Sequence, residues 1–133
     1  MDRRAISAVV VVVLLSGCVG GIDVLGSDQQ SDAGDLEVHV IDVGQADATL
    51  VIAPSGETML IDSGDFTDDG EYVLQYLQRH NITRIDHFVV THADADHIGG
   101  NAAIINYYET EANGIGAIYD PGIAASTQTY EEY

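Results

Sequence analysis

The feature that most limits the fold of this chain is a change in hydrophobic periodicity near residue 68. Before this point, segments 36–43, 48–53 and 58–62 are rich in β-branched residues and are separated by short turns. Three successive strands joined by tight turns predict an antiparallel meander. After this point, apolar residues recur at intervals of three and four, which is typical of amphipathic helices. A chain of this kind is expected to form an α/β layered domain.

A first helix is predicted to begin at Asp68. Asp68 and Glu71 match a capping box, in which each side chain bonds a backbone N–H at the start of the helix. The core-facing stripe of this helix is predicted at Val73, Tyr76, Leu77 and His80. The pattern stops near Asn81, where the helix is expected to end.

Further elements are predicted toward the end of the chain. Short buried strands are expected at 85–90 and 115–119, with a second helix at 98–108 between them. The predicted core positions of that helix are Ile98, Ala102 and Ile105. Thr129 is predicted to cap a last helix that is only beginning near Tyr133.

The charge balance excludes several classes of protein. The 133 residues include 22 acidic and 4 basic side chains, with no lysine, and the formal net charge is -18. A nucleic-acid module needs cations to replace phosphate counterions, so an electrostatic footprint for duplex DNA is absent. A hydrophobic content of 46% argues against a wholly disordered acidic chain. The composition is typical of a surface kept hydrated in concentrated salt and predicts a halophilic origin.

The N-terminal segment predicts export. Arg3 and Arg4 precede an apolar run at 5–15 that is too short to span a membrane but is typical of a signal peptide. The segment ends in Leu-Ser-Gly-Cys, which resembles the lipobox of bacterial and archaeal lipoproteins, and Cys18 is the only cysteine of the chain. The sequence thus predicts a signal peptide at 1–17 and lipidation of Cys18. The alternative is an ordinary buried cysteine in an uncleaved anchor.

Composition also divides the rest of the chain. Residues 18–35 are rich in Gly, Ser, Asp and Gln, which predicts a flexible tether behind the lipidated cysteine. The folded domain is expected at 36–133. With its acidic composition, this layout resembles a haloarchaeal lipoprotein held on the extracellular face of the cell membrane. The membrane is therefore a predicted partner.

Four potential metal ligands lie within six residues: His92, Asp94, Asp96 and His97. They fall between a predicted strand and a predicted helix, where one loop can turn several side chains toward a common point. Imidazole and carboxylate groups together suit Zn²⁺, Mn²⁺ or Fe. The alternative is that Asp94 and Asp96 are only capping and first-turn acids of a helix, beside two surface histidines.

This segment resembles a known signature. His-Ala-Asp-Ala-Asp-His at 92–97, followed by two glycines, is similar to the metallo-β-lactamase motif in the form found in the β-lactamase-like domain of ComEC-type competence proteins. Residues 42–47 resemble the Asp-Val-Gly-Gln-Gly-Asp segment of that group, with Ala46 replacing its second glycine. Residues 60–64 resemble the first motif of the fold. The resemblance implies an α/β hydrolase with an αββα metallo-β-lactamase sandwich, of which this chain carries only the N-terminal half.

The resemblance also implies a role for each motif residue. His92 and Asp94 would serve a first Zn²⁺ or Mn²⁺ ion. Asp96, also the expected catalytic residue, and His97 would serve a second ion. Asp94 stands where many relatives have histidine, and this harder donor makes Mn²⁺ more plausible and Zn²⁺ less certain.

Two further aspartates are implied to support the site. Asp62 would orient the ligand loop through hydrogen bonds, and its alternative role is that of an acid in a turn at a strand end. Asp47 would line the cleft, or it would only form part of a hairpin turn. The family completes its site with later histidines and a bridging aspartate, whereas no histidine follows His97 here. We therefore expect a truncated domain that lacks its C-terminal half as partner and is a poor enzyme as given.

The implied function is exported, metal-dependent hydrolysis of DNA or another phosphodiester by hydroxide that the ions activate. The alternatives are a non-catalytic exported binding lipoprotein and an inactive fragment of the fold. The remaining histidines, His39, His80 and His87, are predicted not to be ligands. A calcium loop starting at Asp65 is excluded because its twelfth position is Tyr76 rather than Glu.

Overall fold

The computed structural model describes residues 34–133. The predicted signal peptide 1–17, the lipidation site Cys18 and the tether as far as residue 33 lie outside the described residues. Within 34–133, no helix combines the length and the apolar character needed to cross a membrane.

The described residues form one five-stranded sheet with helices, which confirms a mixed α/β fold. The strands are β1 (Glu37–Val40), β2 (Thr49–Ile52), β3 (Thr58–Ile61), β4 (Ile85–Val89) and β5 (Ile115–Tyr119). The helices are α1 (Glu71–Arg79), α2 (Ala95–Ile98), α3 (Asn101–Thr110) and α4 (Gln128–Glu132), with a single 3₁₀ turn at Phe66–Asp68. The strands lie in sequence order across the sheet.

The sheet changes direction in its middle. The pairs β1–β2 and β2–β3 are antiparallel, which confirms the predicted meander, whereas β3–β4 and β4–β5 are parallel. A parallel pair needs a crossover, and α1 provides it between β3 and β4. Because β3 and β4 are parallel neighbours, their carboxyl ends lie side by side at one edge of the sheet. This edge receives the residues that follow both strands.

The core lies between the sheet and the longer helices. Leu50, Leu60 and Phe88 are paired across three neighbouring strands and share one face of the sheet. The helical residues buried in the same cluster are Val73 and Leu77 of α1 with Ile104 and Tyr108 of α3. The Tyr108 hydroxyl donates to Ile82 O at 2.7 Å, and burial raises the pKa of this phenol.

The predicted helix at 98–108 is wrong in its start and at one of its three core positions, Ala102, whereas Ile98 is buried and Ile105 packs against the core. It is two helices, α2 and α3, separated by Gly99 and Gly100. A Cβ atom at Gly99 would lie 2.1 Å from Phe66 N, so this junction packs directly against backbone. The buried positions of α3 are Asn101, Ile104 and Tyr108, whereas Ala102 is exposed.

The predicted capping box is also wrong. The N-cap of α1 is Gly70, whose φ of 70° lies in the left-handed region that glycine adopts easily. Asp68 still accepts from backbone, at Gly70 N (3.2 Å) and Tyr72 N (3.1 Å). Glu71 does not reach back, because its carboxylate accepts from Gln75 instead.

Some predicted element ends and core positions shift. Thr127, not Thr129, caps α4, and its hydroxyl oxygen accepts from Tyr130 N at 3.2 Å. The first strand ends at Val40 rather than 43, although Ile41 N still donates to Ala48 O at 2.9 Å before the bend at 44–46. His80 is exposed just beyond α1 rather than part of its core stripe.

Candidate metal centre

The carboxyl ends of β3 and β4 are joined by one buried carboxylate. Asp62 follows β3, and its backbone N–H donates to Val89 O at 2.9 Å. Its side chain is 3% exposed and accepts from Thr91 N (2.8 Å), Thr91 Oγ1 (2.6 Å) and His97 Nδ1 (2.9 Å). We call Asp62, Thr91 and His97 the carboxyl-end clamp. Asp62 has a φ of 56°, a left-handed conformation that aspartate tolerates better than most side chains.

This clamp determines the tautomers of both motif histidines. A carboxylate only accepts hydrogen bonds, so His97 must donate through Nδ1 to Asp62. The Thr91 hydroxyl gives its proton to Asp62, and its oxygen can then accept from His92 Nδ1 at 2.9 Å. In the neutral form of each ring, Nε2 would therefore carry the free lone pair. The centroids of the His92 and His97 rings are 3.8 Å apart, so the two Nε2 lone pairs lie close to each other.

Carboxylates surround these two nitrogen atoms. His92 Nε2 lies 3.4 Å from Asp94 Oδ2. His97 Nε2 lies 3.8 Å from Asp47 Oδ2 and 3.9 Å from Asp96 Oδ2. The side chains of Asp94, Asp47 and Asp96 are 75%, 71% and 47% exposed. We call Asp47, Asp94 and Asp96 the acidic rim.

The donor set fits a divalent cation in its chemistry. Two imidazole nitrogens with free lone pairs and three carboxylates are ligands of Zn²⁺ or Mn²⁺. Among residues 34–133, no three of the His, Asp and Glu side chains are arranged to hold one ion. The rim carboxylates are largely exposed and can rotate toward the rings, while the clamp already fixes the imidazoles. The two imidazoles are thus held in place by hydrogen bonds, whereas the three carboxylates are free to move.

The helix-cap alternative for Asp94 and Asp96 is only partly realised. Asp94 occupies the N-cap position of α2, but its side chain makes no capping hydrogen bond. Asp96 lies in the first turn, where an acid is favoured by the helix dipole. The carboxylate of Asp94 is therefore not used by the helix.

Backbone hydrogen bonds hold together the three loops that carry the site. The loops are the β1–β2 loop, the segment after β3, and α2 with its following glycines. The bonds run from Asp47 N to Asp96 O (3.2 Å), Gly64 N to Asp47 O (2.9 Å), Ser63 N to His97 O (2.8 Å) and Gly99 N to Gly64 O (3.0 Å). Each loop is thus fixed by the other two.

Three residues of this edge had no predicted role. Thr91 links Asp62 to His92, as described above. The Ser63 hydroxyl donates to Asn101 Oδ1 at 2.7 Å and accepts from Gly100 N at 3.0 Å, which ties the end of β3 to the start of α3. Asn101 is buried, and its Nδ2 has no partner. The signal in the sequence was a hydroxyl residue beside a motif acid or histidine, as at Ser63 and Thr91.

The other histidines have partners of their own. His39 Nδ1 lies 2.8 Å from Tyr76 Oη, and His80 Nδ1 lies 2.8 Å from Tyr76 O. His87 Nε2 lies 2.9 Å from Glu57 Oε1. Within the described residues, no hydrogen bond, ion pair or ring contact joins these histidines to the motif. Their predicted non-ligand role stays a prediction.

Comparisons with known proteins agree with this architecture. The chain is similar to Recombination protein 2 of Haemophilus influenzae, with 36% identity over 76 residues. The alignment covers 54% of this chain and 9% of that protein, so the chain spans a small part of the relative's length. The similarity supports the resemblance to ComEC-like competence proteins. The sequence profile of the metallo-β-lactamase superfamily, whose members generally bind zinc, matches residues 41–131. The chain therefore belongs to the metallo-β-lactamase superfamily.

Proposed function

We propose that this protein is an exported, lipid-anchored, metal-dependent hydrolase that acts on phosphodiesters. The observation that carries the proposal is the carboxyl-end clamp, in which one buried carboxylate leaves Nε2 of both His92 and His97 free. Stability of the fold alone does not require two oriented imidazoles whose unbonded nitrogens lie beside exposed carboxylates. Family membership supports a zinc-binding origin for this arrangement.

The residues divide the work as follows. His92 Nε2 and Asp94 would hold one ion, and His97 Nε2 and Asp96 the other. When bound, such ions supply a hydroxide nucleophile near neutral pH and offset charge that develops on the phosphoryl group. Asp62 and Thr91 keep both rings in the required tautomer and orientation. Asp96 lies in the first turn of α2, where backbone N–H groups also favour negative charge.

DNA is the substrate that we propose within this class. The support comes from the ComEC resemblance of 42–47 and 92–97 and from the similarity to a protein named for recombination. The net charge of -18 opposes approach of a polyanion. Concentrated salt reduces this repulsion, because the Debye length falls to about 3 Å at ~1 M.

The activity test uses the full chain with Mn²⁺ or Zn²⁺ and two substrates, single-stranded DNA and a chromogenic phosphodiester. We expect a low, metal-dependent rate, because the motif supplies only two protein ligands to each ion and the ligand count determines how strongly water is activated. Asp96→Asn should remove this rate. Asp42→Asn, which removes the same charge from an exposed position, is the control and should retain it.

The same assay distinguishes the alternative of a non-catalytic binding lipoprotein. Metal binding at His92–His97 without any hydrolysis would support it and contradict the hydrolase proposal. Hydrolysis that survives in Asp96→Asn would also contradict the proposed mechanism.

The proposed location has its own test. Two acyl chains on Cys18 would hold the protein stably on the outer face of the membrane, whereas one chain binds only marginally. Mass spectrometry of the mature N-terminus should find a lipidated Cys18. Cys18→Ser should release the protein or block its processing. A free Val19 or an intact Met1 terminus without lipid would contradict the anchor.

A further inference from the structure

We propose that Asp47 is a direct carboxylate ligand of the ion held by His97 and Asp96. This inference rests on the proposed function and adds to that ion a ligand from outside the His92–His97 motif. It changes the role predicted for Asp47, which was to line the cleft or to form a turn.

The geometry around His97 points to this role. His97 Nδ1 is occupied by Asp62, so Nε2 is the only ring nitrogen that can bind an ion. Two carboxylates lie within 4 Å of that nitrogen, and Asp47 Oδ2 at 3.8 Å is as close as Asp96 Oδ2 at 3.9 Å. No three donors are already gathered around one point in the described residues, but both carboxylates are close enough to reach an ion at Nε2 by rotation of their side chains.

The backbone places Asp47 there independently of its side chain. Asp47 N donates to Asp96 O at 3.2 Å, and Asp47 O accepts from Gly64 N at 2.9 Å. A residue of an ordinary hairpin turn needs neither contact. The side chain itself is 71% exposed, and the structure gives it no hydrogen bond. Its carboxylate is thus held beside the ring and remains free to bind an ion.

The number of donor atoms also supports a ligand role for Asp47. With Asp47, the ion at His97 has three protein ligands, of which two are carboxylates. Three protein ligands with an open position are typical of catalytic metal sites. Carboxylate-rich donor sets suit Mn²⁺ better than thiolate- or imidazole-rich sets do. The proposed site thus has the ligand number that the motif alone does not reach.

The test is a titration of the metal-free full chain with Mn²⁺. Electron paramagnetic resonance measures the Mn²⁺ that remains free at each step. Asp47→Asn should weaken binding by at least about tenfold, as loss of a ligand contact does. Asp42→Asn is the matched control, since it removes an equal charge from the same loop and should change affinity less than about twofold. Water-proton relaxation should show one more Mn²⁺-bound water in Asp47→Asn than in the parent.

A ligand role makes two further demands. Thermal unfolding of metal-free Asp47→Asn should match that of the parent, because the backbone bonds of Asp47 remain. In the parent, Zn²⁺ should shift the carboxyl carbon-13 signal of Asp47 and leave that of Asp42 in place. This second measurement decides the matter even if the variant fails to fold.

Two results overturn the inference. If Asp47→Asn binds Mn²⁺ as the parent does, or loses no more affinity than Asp42→Asn, Asp47 is not a ligand and the proposed function stands. If the parent binds no Mn²⁺ or Zn²⁺, the inference and the proposed function both fail.

Discussion

Two aspartates hold the parallel strands β3 and β4 together, one at each end of the pair. At the carboxyl end, Asp62 accepts from Thr91 N and Thr91 Oγ1. At the amino end, Asp86 accepts from Thr58 N at 2.9 Å, and Thr58 Oγ1 lies 3.2 Å from the same carboxylate oxygen. Each aspartate has a third partner, which is His97 for Asp62 and Arg84 for Asp86 (Nε to Oδ1, 2.9 Å). We call Asp86, Thr58 and Arg84 the amino-end clamp.

The third partner separates the two clamps in function. The Arg84 guanidinium has donors only and cannot bind a cation. His97 gives Nδ1 to the clamp, and its Nε2 makes no hydrogen bond within the described residues and is the nitrogen proposed to bind an ion. The Asp62 side chain is also 3% exposed, compared with 29% for Asp86. The comparison indicates that an aspartate–threonine link can join parallel strands at either end, and that only the carboxyl-end link also orients a histidine.

The largest effect is expected from Asp62→Ala. It removes a carboxylate that is 3% exposed and accepts three hydrogen bonds, so the free energy of unfolding should fall by about 3 kcal/mol. The loss for Asp86→Ala should be about 1 kcal/mol, because the Asp86 carboxylate is 29% exposed and already shares its hydrogen bonds with water. Mn²⁺ affinity should fall about 10- to 100-fold in Asp62→Ala and stay unchanged in Asp86→Ala. Urea unfolding of metal-free protein and a Mn²⁺ titration measure the two effects.

A matched variant refines this first test. Asp62→Asn keeps the shape and tolerates the left-handed backbone, yet its amide nitrogen cannot accept a hydrogen bond. It should lose Mn²⁺ affinity with less loss of stability than Asp62→Ala. Equal losses of affinity at Asp62 and Asp86 would mean that the two clamps do not differ in the way described.

Removal of the ligands is the next largest effect. His92→Ala and Asp96→Ala should each abolish most Mn²⁺ binding, because ligand number and geometry set metal affinity. His39→Ala and His80→Ala should leave binding unchanged, since these rings contact Tyr76 instead. Titration calorimetry in high salt, with a metal-stripped sample as reference, measures the heats. Loss of binding in the His39 variant would reject the assigned site and return Asp94 and Asp96 to a helix-end role.

A smaller effect is expected in the acid range at the amino-end clamp. The hydrogen bond from Thr58 N, with help from Arg84 and against the effect of burial, holds the pKa of Asp86 below its usual 3.8. The ionised form is favoured by folding, so its contribution is present above the unfolded pKa and is lost as pH falls through the folded pKa. Asp86→Asn should cost about 1 kcal/mol at pH 7, and this cost should shrink as pH falls below 3.8. Urea unfolding of both proteins across this range measures the difference, and a constant gap would contradict the linkage.

The smallest effect is expected at the acidic rim. Asp94→Asn removes one of several exposed like charges and no capping bond, so metal-free protein should gain about 0.3 kcal/mol at low salt. The gain should vanish near 1 M salt, where exposed charges are screened. Thermal unfolding at both salt concentrations checks this. A loss of stability would mean that Asp94 supports α2 after all.

The sequence predicted elements well where one type of periodicity governed them. The β-branched segments of the meander and the buried Val73 and Leu77 of α1 follow from patterns that burial imposes directly. The break between α2 and α3 was missed because Ile98, Ala102 and Ile105 have helical spacing across it. Only the packing of Gly99 against Phe66 reveals the break, and that contact is not local in sequence.

The residue types of the site could be predicted from the sequence, but the hydrogen bonds among them could not. The motif spacing identified His92, Asp94, Asp96 and His97, and the structure gathers them at one edge. Asn101 was not anticipated as a core residue, because its burial depends on the distant Ser63 hydroxyl. The link from Thr91 to His92 depends on hydrogen positions that only the three-dimensional network of Asp62 determines.

The backbone bonds among the three site loops have a consequence for how the chain can vary in length. These bonds join backbone atoms and do not depend on side chains. Residues 47, 64 and 99 must therefore keep their positions opposite one another whatever residues surround them. One residue inserted into the β1–β2 loop would shift Asp47 away from Asp96. An insertion between Ser55 and Gly56, in the exposed turn before β3, would lengthen a surface loop at small entropic cost. Relatives should therefore differ in length at the Ser55 turn and keep constant spacing within each site loop.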